Sequence, residues 1–355
     1  MIEQYGWSDA LQRDFAPFAA EGLSPARVVV QQRGLWRLVT AAGERTAVLA
    51  GRLRDAPDCP PVTGDWVAAE LPAAEGPALI RAVLPRRTAF VRWAAGPAGG
   101  RQVVAANADV AFLAASLNAD LSLRRLERYL ALAYESGAEP AIVLTKADAC
   151  PDVAAAVAEV EAIAFGVPVL PVSAVTGTGL DALAGWLAPG RTAVLLRSSG
   201  VGKSTLVNAL AGAERMATRG IIEAGARGRH TTTHRELVRL PSGGLILDTP
   251  GMRELGLVDA EAGLSATFAD LEALAAGCRF RDCGHAGEPG CAVGAAVEMG
   301  ELPAQRLASW RKLQRELAHE RRREDPLARE AERRRWAGIH KAGRARTRAK
   351  RDGWE

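Results

Sequence analysis

The sequence lacks any long apolar run without charge. A helix that crosses a membrane needs about eighteen or more such residues in succession, and no stretch of the 355-residue chain provides them. The N-terminal stretch MIEQYGWSDALQRDF has acidic residues early and no apolar centre, so it does not have the pattern of a secretory signal. These absences predict a cytoplasmic protein with no membrane partner.

Cysteine is scarce and unevenly placed. Of the five cysteines, Cys278, Cys283 and Cys291 lie close together, with His285 between them. An odd number of cysteines with a cluster of this kind argues against a disulfide framework and favours a metal site. Three thiolates and one imidazole would fill a tetrahedral Zn²⁺ shell, so the expected zinc ion is structural and not catalytic. The alternative is a group of unrelated reduced cysteines.

Positive charge is modest overall but concentrated at the C-terminal end. The net charge is +4, yet the segment ERRRWAGIHKAGRARTRAKR has almost no acidic residues. This imbalance predicts a polyanionic partner for the tail, and Trp336 is placed within it to stack on a base. A solubilising, disordered tail is the alternative.

Short β-type runs separated by turn residues occupy the chain from about Ala26 to Trp93. Several short strands in so few residues predict an OB-like β-barrel within an N-terminal region of residues 1–97. A β domain that merely packs on its neighbour has the same pattern and remains the alternative.

The pattern changes in the middle of the chain, over residues 103–262. Near-continuous apolar runs alternate there with helical stretches, which is typical of a mainly parallel sheet buried on both faces. One stretch predicts a helix that ends at Gly137 and whose apolar residues recur at helical spacing, namely Leu123, Leu126, Leu130 and Tyr134. Residues 263–355 then hold the cysteine cluster, a polar helical stretch and the basic tail. The predicted fold class is multidomain α/β.

The segment LLRSSGVGKSTLVNAL contains a phosphate-binding loop. The strand-like run TAVLL precedes it and the helix-like run STLVNALAG follows, which is the context that such a loop requires. Backbone N–H groups and the positive end of the helix dipole would contact phosphate oxygens there. Lys203 is expected to contact the β- and γ-phosphates, and the Ser204 hydroxyl to ligate Mg²⁺. The predicted loop residues are Ser198, Ser199, Gly200, Val201, Gly202, Lys203, Ser204 and Thr205.

The pattern LTKAD predicts which base the site accepts. Asp148 follows a strand, and its carboxylate can accept hydrogen bonds from N1–H and the exocyclic amine of guanine, which adenine does not offer. The stem of Lys146 can lie along the plane of the base. The pattern SAVTGTGL follows at the end of the next strand, on the expected O6 side of the guanine. The predicted base-binding residues are Thr145, Lys146, Ala147, Asp148, Ser173 and Ala174.

The pattern LILDTPG completes the predicted site. Asp248 ends a strand and would hold Mg²⁺, and the N–H of Gly251 would meet the γ-phosphate. Upstream, RGRHTTTHREL has three threonines, of which Thr232 is predicted to join Ser204 and Asp248 around Mg²⁺. Polar turn filler is the alternative explanation of the threonines.

The order of these patterns is unusual. Base recognition (145–148 and 173–175) comes first, followed by the phosphate loop (198–205), the threonines (231–233) and D-T-P-G (248–251). Ordinary GTPases begin with the phosphate loop, so the chain resembles a circularly permuted GTPase, a rearrangement that preserves strand neighbours. With the barrel-like region, the Cys-x₄-Cys-x-His-x₅-Cys spacing, and the runs QVVAANADVAFL, GRHTTTHREL and DTPGMREL, it resembles the ribosome small-subunit-dependent GTPase A family over nearly its whole length.

This resemblance implies a fold and a function. The fold would be an N-terminal OB-like β-barrel, a central circularly permuted P-loop GTPase domain and a C-terminal helical zinc-binding domain. The function would be late maturation of the 30S ribosomal subunit, with GTP hydrolysed to GDP under stimulation by the subunit and with Mg²⁺ and structural Zn²⁺ as cofactors. The barrel and the basic tail would contact 16S rRNA, and we expect a monomer.

The group that positions the attacking water is harder to identify. Met252 follows D-T-P-G, where many GTPases have a water-orienting glutamine, and a methionine cannot do that work. The family resemblance points to His230 as the catalytic residue. An exposed loop histidine without a role is the alternative.

Arg197 departs from the family pattern, which has glycine at the first position of the loop. A positive φ at this position would make a side chain cost about 1–3 kcal/mol in strain, although the residue lies at the strand end and outside the tight turn. We expect weakened but not abolished nucleotide binding. Two other functions stay open: a ribosome- or RNA-binding module with weakened turnover, and an ATP-using P-loop enzyme that would leave Asp148 unexplained.

Overall fold

The fold is described from a computed structural model of the chain. The residues that the structure describes are 1–54, 60–72, 76–94, 100–118, 121–198, 200–212, 235–248 and 255–324. Their strands are β1 (Ser24–Gln32), β2 (Leu35–Thr40), β3 (Gly43–Leu49), β4 (Trp66–Glu70), β5 (Ala78–Val83), β6 (Ala89–Trp93), β7 (Arg101–Ala106), β8 (Val110–Ser116), β9 (Glu139–Thr145), β10 (Val169–Pro171), β11 (Thr192–Arg197), β12 (Arg235–Arg239) and β13 (Leu245–Asp248).

Helices flank these strands and make up the C-terminal part. They are α1 (Asp9–Ala20), α2 (Gly51–Arg54), α3 (Leu123–Ser136), α4 (Val153–Glu161), α5 (Leu180–Gly185), α6 (Lys203–Ala211), α7 (Glu261–Thr267), α8 (Ala269–Ala275), α9 (Ala292–Glu298) and α10 (Ala304–Glu324), with short 3₁₀ helices at Ile2–Tyr5 and Ala147–Ala149. Within the described ranges, no helix combines the length and the apolar character needed to span a membrane.

The N-terminal strands close into a five-stranded barrel, as the sequence predicts. Strand β1 pairs with both β2 and β4, and the circuit continues through β3 and β5, so that the order is β1-β2-β3-β5-β4-β1. A register shift between Val28 and Val30 lets β1 bend between its partners. Buried side chains such as Leu38, Val67 and Ile80 fill the interior. Closure leaves the barrel without a free edge.

Strand β6 is the exception to the predicted barrel. It pairs antiparallel with β7 in a separate two-stranded ribbon, which joins one strand from each side of the glycine-rich link at 94–102. Pro85 interrupts the chain between β5 and β6, and Phe90 is buried in the same apolar cluster as Tyr129 and Leu130 of α3. The ribbon is therefore packed on the central part and not in the barrel.

The central sheet is mainly parallel. Strands β10, β9, β8, β11 and β13 lie in that order and run parallel, and β12 pairs antiparallel with β13. All seven residues of β8 are buried, because helices cover both faces of the sheet. The carboxyl ends of the parallel strands therefore lie together at one edge, where ligands bind in open α/β sheets.

The barrel and the central sheet are joined by strand pairing and by a buried arginine. Strand β1 also pairs with β12, which makes one continuous sheet. Arg27 of β1 donates hydrogen bonds to the Thr192 hydroxyl (2.9 Å) and to the Asn107 carbonyl oxygen (3.1 Å), and burial lowers its pKa to about 10. Thr192 begins β11, so the barrel is attached to the strand that leads into the phosphate loop.

Helix α3 carries the C-terminal helices. It ends as the sequence predicts, with Gly137 as a left-handed C-cap (φ 82°). Gly263 of α7 lies so close to α3 that a Cβ there would collide with the Ala131 carbonyl oxygen, and its N–H donates to Glu135 (2.9 Å). Arg306 of α10 is 2% exposed and is ion-paired with Glu127 of α3 (2.9 Å). These contacts attach α7 and α10 to α3.

Candidate nucleotide site and candidate metal centre

The predicted phosphate loop connects β11 to α6. Gly200 and Gly202 both have positive φ (82° and 92°), a conformation that glycine adopts without strain. No described atom lies within 4 Å of the place where a Cβ would stand on either residue, so the loop faces open space. Helix α6 begins at Lys203, and its N-terminus follows the loop directly. The loop can therefore aim backbone N–H groups and a helix N-terminus at an anion.

Thr145 fixes the loop to the neighbouring base-recognition pattern. Its hydroxyl donates to the carbonyl oxygen of Val201 (2.7 Å), and the side chain is buried. This bond joins the end of β9 to the middle of the phosphate loop. The hydroxyl of Thr145 thus supports the loop, whereas the sequence pattern predicts a contact with the base.

The two base-recognition patterns are also joined to each other. Lys146 is left-handed (φ 59°) and starts the short 3₁₀ turn on which Asp148 is exposed. The N–H of Ala147 donates to the Val172 carbonyl oxygen (3.1 Å), so the turn lies beside the start of SAVTGTGL. An exposed carboxylate on this rigid turn is available to a base.

Ser173 is fully buried and acts within its own loop. Its hydroxyl accepts hydrogen bonds from the N–H groups of Val175 (3.2 Å) and Thr176 (3.1 Å). The side chain therefore holds the turn in which Ala174 is half-buried, and the base contact predicted for Ser173 and Ala174 stays a prediction.

The predicted phosphate and magnesium groups meet at the other side of the loop. The Lys203 ammonium forms an ion pair with the Asp248 carboxylate at the end of β13, and the two side chains are 10% and 13% exposed. Ser204 is the next residue of α6 and is half-buried, and Thr205 is exposed. The arrangement places a cation, a carboxylate and a hydroxyl around one end of the loop.

Four predicted site residues lie outside the described residues: Ser199, His230, Thr232 and Gly251. The basic tail, including Trp336, also lies outside them. Their predicted roles stay predictions.

Arg197 is accommodated without backbone strain. It is the last residue of the extended strand β11, pairs with Ala114 of β8, and is not among the residues with positive φ. Its guanidinium donates to the Ser198 carbonyl oxygen (3.2 Å). Among the described loop residues, positive φ occurs at Gly200 and Gly202 and not at Arg197, so the strain that would weaken nucleotide binding is absent at Arg197.

Replacing Arg197 with glycine is therefore expected to change the Kd for GTP less than about threefold, because a substitution that relieves no strain shifts free energies by about 0.5 kcal/mol. Titration of wild type and Arg197→Gly with a fluorescent GTP analogue measures this. Arg197→Lys is the matched control that keeps the charge. Binding that becomes tighter by about tenfold in Arg197→Gly alone would show that the arginine obstructs the loop.

The cysteine cluster has the geometry of a tetrahedral metal site. The ligand atoms of Cys278, Cys283, His285 and Cys291 all lie within 4.8 Å of one another. His285 Nδ1 is 3.6 Å from Cys278 Sγ and 3.5 Å from Cys291 Sγ. Zinc bonds of about 2.3 Å to sulfur and 2.0 Å to nitrogen, at a tetrahedral angle, place sulfur and nitrogen about 3.5 Å apart. The four residues therefore fit a closed Zn²⁺ site.

The surroundings of the cluster shift the pKa values of its ligands in different directions. Burial opposes ionisation of Cys278, but hydrogen bonds from the N–H groups of Val293 and Ala292 and from the thiols of Cys283 and Cys291 together lower its pKa. At Cys283, burial and the two neighbouring thiols raise the pKa to about 11, which favours the protonated thiol. Burial lowers the pKa of His285, which favours the neutral imidazole that a metal requires. Cys291 is the N-cap of α9 and accepts a hydrogen bond from the Gly294 N–H (3.2 Å).

Several polar residues that join distant elements of the fold escape prediction from sequence. Arg128 and Arg306 are examples, because their partners are far away in the chain (Leu255 and Glu316 for Arg128, and Glu127 for Arg306). The one local signal is Glu127, an acidic residue next to Leu126 on the apolar side of α3, which suggests a buried partner.

Comparisons with known proteins show the family to which the chain is similar. The model of the RsgA GTPase family matches residues 83–258. The small ribosomal subunit biogenesis GTPase RsgA of Opitutus terrae is 49% identical, with 98% of this chain and 98% of the relative covered. The protein of the same name from Streptomyces coelicolor is also 49% identical, with 99% and 96% covered.

Two solved structures are similar over most of the chain. YjeQ from Thermotoga maritima superposes with a TM-score of 0.62 at 28% identity, covering 83% of this chain and 99% of YjeQ. YloQ, described as a circularly permuted GTPase, gives a TM-score of 0.58 at 25% identity and covers 84% of this chain and 96% of its own.

Proposed function

Because the chain belongs to the RsgA GTPase family of GTP-hydrolysing enzymes, we propose that it assists late maturation of the 30S ribosomal subunit and hydrolyses GTP under stimulation by that subunit. The observation that carries the proposal is the bond between Thr145 and Val201. It joins the base-recognition turn to the phosphate loop, so that one guanine nucleotide can reach both.

The proposed roles follow from the placement of each group. The loop N–H groups and Lys203 bind the phosphates, and Asp148 accepts hydrogen bonds from the guanine edge. Ser204 and Asp248, with Thr232, would hold Mg²⁺, which when bound neutralises charge on the β- and γ-phosphate oxygens. Ser173 and Thr145 hold the two loops that present these groups.

Hydrolysis requires a water placed in line with the bond that breaks. The water attacks the γ-phosphorus, the bond to the β–γ bridging oxygen breaks, and GDP and inorganic phosphate form. Lys203 lies where negative charge grows during this step and stabilises it. His230 is proposed to orient the water, since Met252 cannot. An activating surface that orders this group would explain a need for the subunit.

The remaining parts of the chain would serve attachment to the subunit. Relatives that are 49% identical are named for biogenesis of the small ribosomal subunit, which supports 30S and its 16S rRNA as the partner of the barrel and the basic tail. Arginines and lysines that neutralise RNA phosphates would make this binding fall steeply with salt. We propose that the protein acts as a cytoplasmic monomer and that a structural Zn²⁺ holds the C-terminal part together.

Two alternatives have less support. A binding module with impaired turnover would need Arg197 to distort the loop, and its backbone is extended. An ATP-using enzyme would leave unexplained the turn that presents Asp148 next to the phosphate loop.

Hydrolysis of GTP and ATP by the purified chain, with and without 30S subunits, tests the proposal. We expect a preference for GTP of at least about 10²-fold, because a site that hydrogen-bonds one base penalises a base that cannot pair. We also expect subunits to raise the GTP rate and leave the ATP rate unchanged. The matched control is Asp148→Asn, which keeps the shape of the side chain and should lose the preference. A chain that hydrolyses both nucleotides equally would refute guanine specificity, and a rate indifferent to 30S subunits would refute the proposed partner.

A further inference from the structure

Arg128 of α3 connects two elements that no sequence pattern links. Its Nη1 donates to the Glu316 carboxylate of α10 (2.6 Å), and its Nη2 donates to the main-chain carbonyl oxygen of Leu255 (2.8 Å). The Arg128 and Glu316 side chains are 28% and 25% exposed, so both bonds are partly shielded from solvent. One guanidinium thereby connects the C-terminal helix to the chain that follows D-T-P-G.

Leu255 is a buried residue at the end of the segment that begins with Asp248 at the nucleotide site. It is 2% exposed and stands at the far end of the DTPGMREL pattern from Asp248. Asp248 is held at the phosphate loop by Lys203, and the Leu255 carbonyl is held by Arg128. Both ends of the pattern are therefore attached to polar side chains, one at the nucleotide site and the other beside α10.

Helix α10 has cationic side chains that can bind a polyanion. It carries the exposed cationic residues Lys312, Arg315 and Arg322, and an exposed Arg321 that is ion-paired with Glu261 of α7. Side-chain bonds attach the helix to α3, among them Arg306 and Ser309 with Glu127, and Glu316 with Arg128. Glu127 and Arg128 are consecutive residues of α3. A shift of α10 that moves Glu316 would therefore also displace the Arg128 guanidinium, which binds the Leu255 carbonyl oxygen.

We propose that Arg128 is a positioning residue for GTP hydrolysis, through which a polyanion bound to α10 adjusts the main chain at Leu255. The chemistry of the exposed arginines and lysine fits an RNA backbone, and the inference rests on the proposed function in which that RNA belongs to the 30S subunit. The planar fork of the guanidinium suits this role, since it holds two acceptors in a fixed relation, whereas an ammonium does not.

The test uses the full-length chain with GTP and 30S subunits. In Arg128→Met both bonds are lost, and we expect the stimulated kcat to fall about 3-fold to 30-fold, as for other residues that couple two sites. The KM for GTP should stay within about twofold, because no nucleotide-binding group is altered. Glu316→Gln should show the same split with a smaller fall, since it keeps the Leu255 bond.

A reversed pair separates positioning from simple helix packing. Arg128→Glu combined with Glu316→Arg restores the ion pair between α3 and α10, but a carboxylate at position 128 cannot donate to the Leu255 carbonyl. We expect the stimulated kcat to remain low. Arg191→Met is the matched control: it removes an ion pair with Glu139 whose side chains are 34% and 53% exposed, at the amino end of the central strands.

The possible results distinguish a failure of the inference from a failure of the proposed function. A normal stimulated kcat in Arg128→Met, or its recovery in the reversed pair, would overturn the inference while leaving the proposed function intact. An equal fall in Arg191→Met would attribute the effect to lost stability and also overturn it. A wild-type chain that 30S subunits fail to stimulate would overturn the proposed function, and the coupling with it.

Discussion

A Lys203→Met variant is expected to hydrolyse GTP at least about a hundredfold more slowly than wild type, because removal of one preorganised electrostatic group at the reacting atoms costs about 10²–10³ in rate. Lys203 stands at the first residue of α6, where the loop ends, and its ammonium is mostly buried against Asp248. Methionine keeps the length of the apolar stem and removes only the charge. The measurement is phosphate release from GTP, together with the affinity for GTP.

A loss of folding must be separated from a loss of chemistry in this variant. Lys203→Met leaves the mostly buried Asp248 carboxylate without that cation, which costs about 1–3 kcal/mol in stability. The double variant Lys203→Met with Asp248→Asn removes the unpaired charge, so its melting temperature should return toward that of wild type while hydrolysis stays lost.

Lys312→Met is the control for the removal of a lysine as such. Lys312 is exposed on α10 and should have no effect on hydrolysis in the absence of 30S subunits. If Lys203→Met retained wild-type hydrolysis, the segment 198–205 would not be the phosphate loop, and the proposed function would fail at its first step.

The parts of the site that the sequence indicates most clearly are those whose chemistry needs consecutive residues. A phosphate loop must place glycines, a lysine and a hydroxyl within a few residues, so GVGKS can be recognised as one without the rest of the sequence. The same holds for the turn at Asp148 and for the cluster from Cys278 to Cys291. The residues of each pattern are neighbours in sequence and therefore close in space, and the structure places the described members of each pattern together.

The parts that sequence does not predict depend on contacts between distant elements. Thr145 and Ser173 are assigned to the base by pattern, yet their hydroxyls bind the backbone of Val201 and of the SAVTGTGL turn. Only the packing of β9 beside the loop shows this. In the same way, nothing in the residues around Arg128 indicates that Glu316 and Leu255 are its partners.

Strand β6 shows the same limit at the level of the fold. Its residues have the alternation and the aromatic side chains of a barrel strand. Alternation fixes which face of a strand is buried but not which strand it pairs with. The choice of β7 as partner depends on Phe90 reaching the apolar cluster of α3, which is a tertiary contact.

Removal of metal is expected to unfold the region around Cys278–Cys291 before the rest of the chain, with a loss of stability on the order of 10 kcal/mol for that region. In the structure, the residues between α8 and α9 contain no helix or strand, and apart from a few local hydrogen bonds they are gathered around the four clustered ligands. Without metal, three thiols and an imidazole cannot replace the lost bonds. Limited proteolysis after exhaustive chelation, with zinc content measured in parallel, measures the unfolding of this region.

The matched pair of variants is Cys283→Ser and Cys150→Ser. Cys150 is half-buried and lies outside the cluster, so its replacement should leave both metal content and protease resistance unchanged. Cys283→Ser should lose metal and be cleaved first between α8 and α9. The His285 ring lies 5.4 Å from that of Trp310 on α10, so loosening of the site should spread into this helix and change its tryptophan fluorescence. Full protease resistance of a demonstrably metal-free chain would mean that apolar packing and the hydrogen bonds of the loop hold this region without metal.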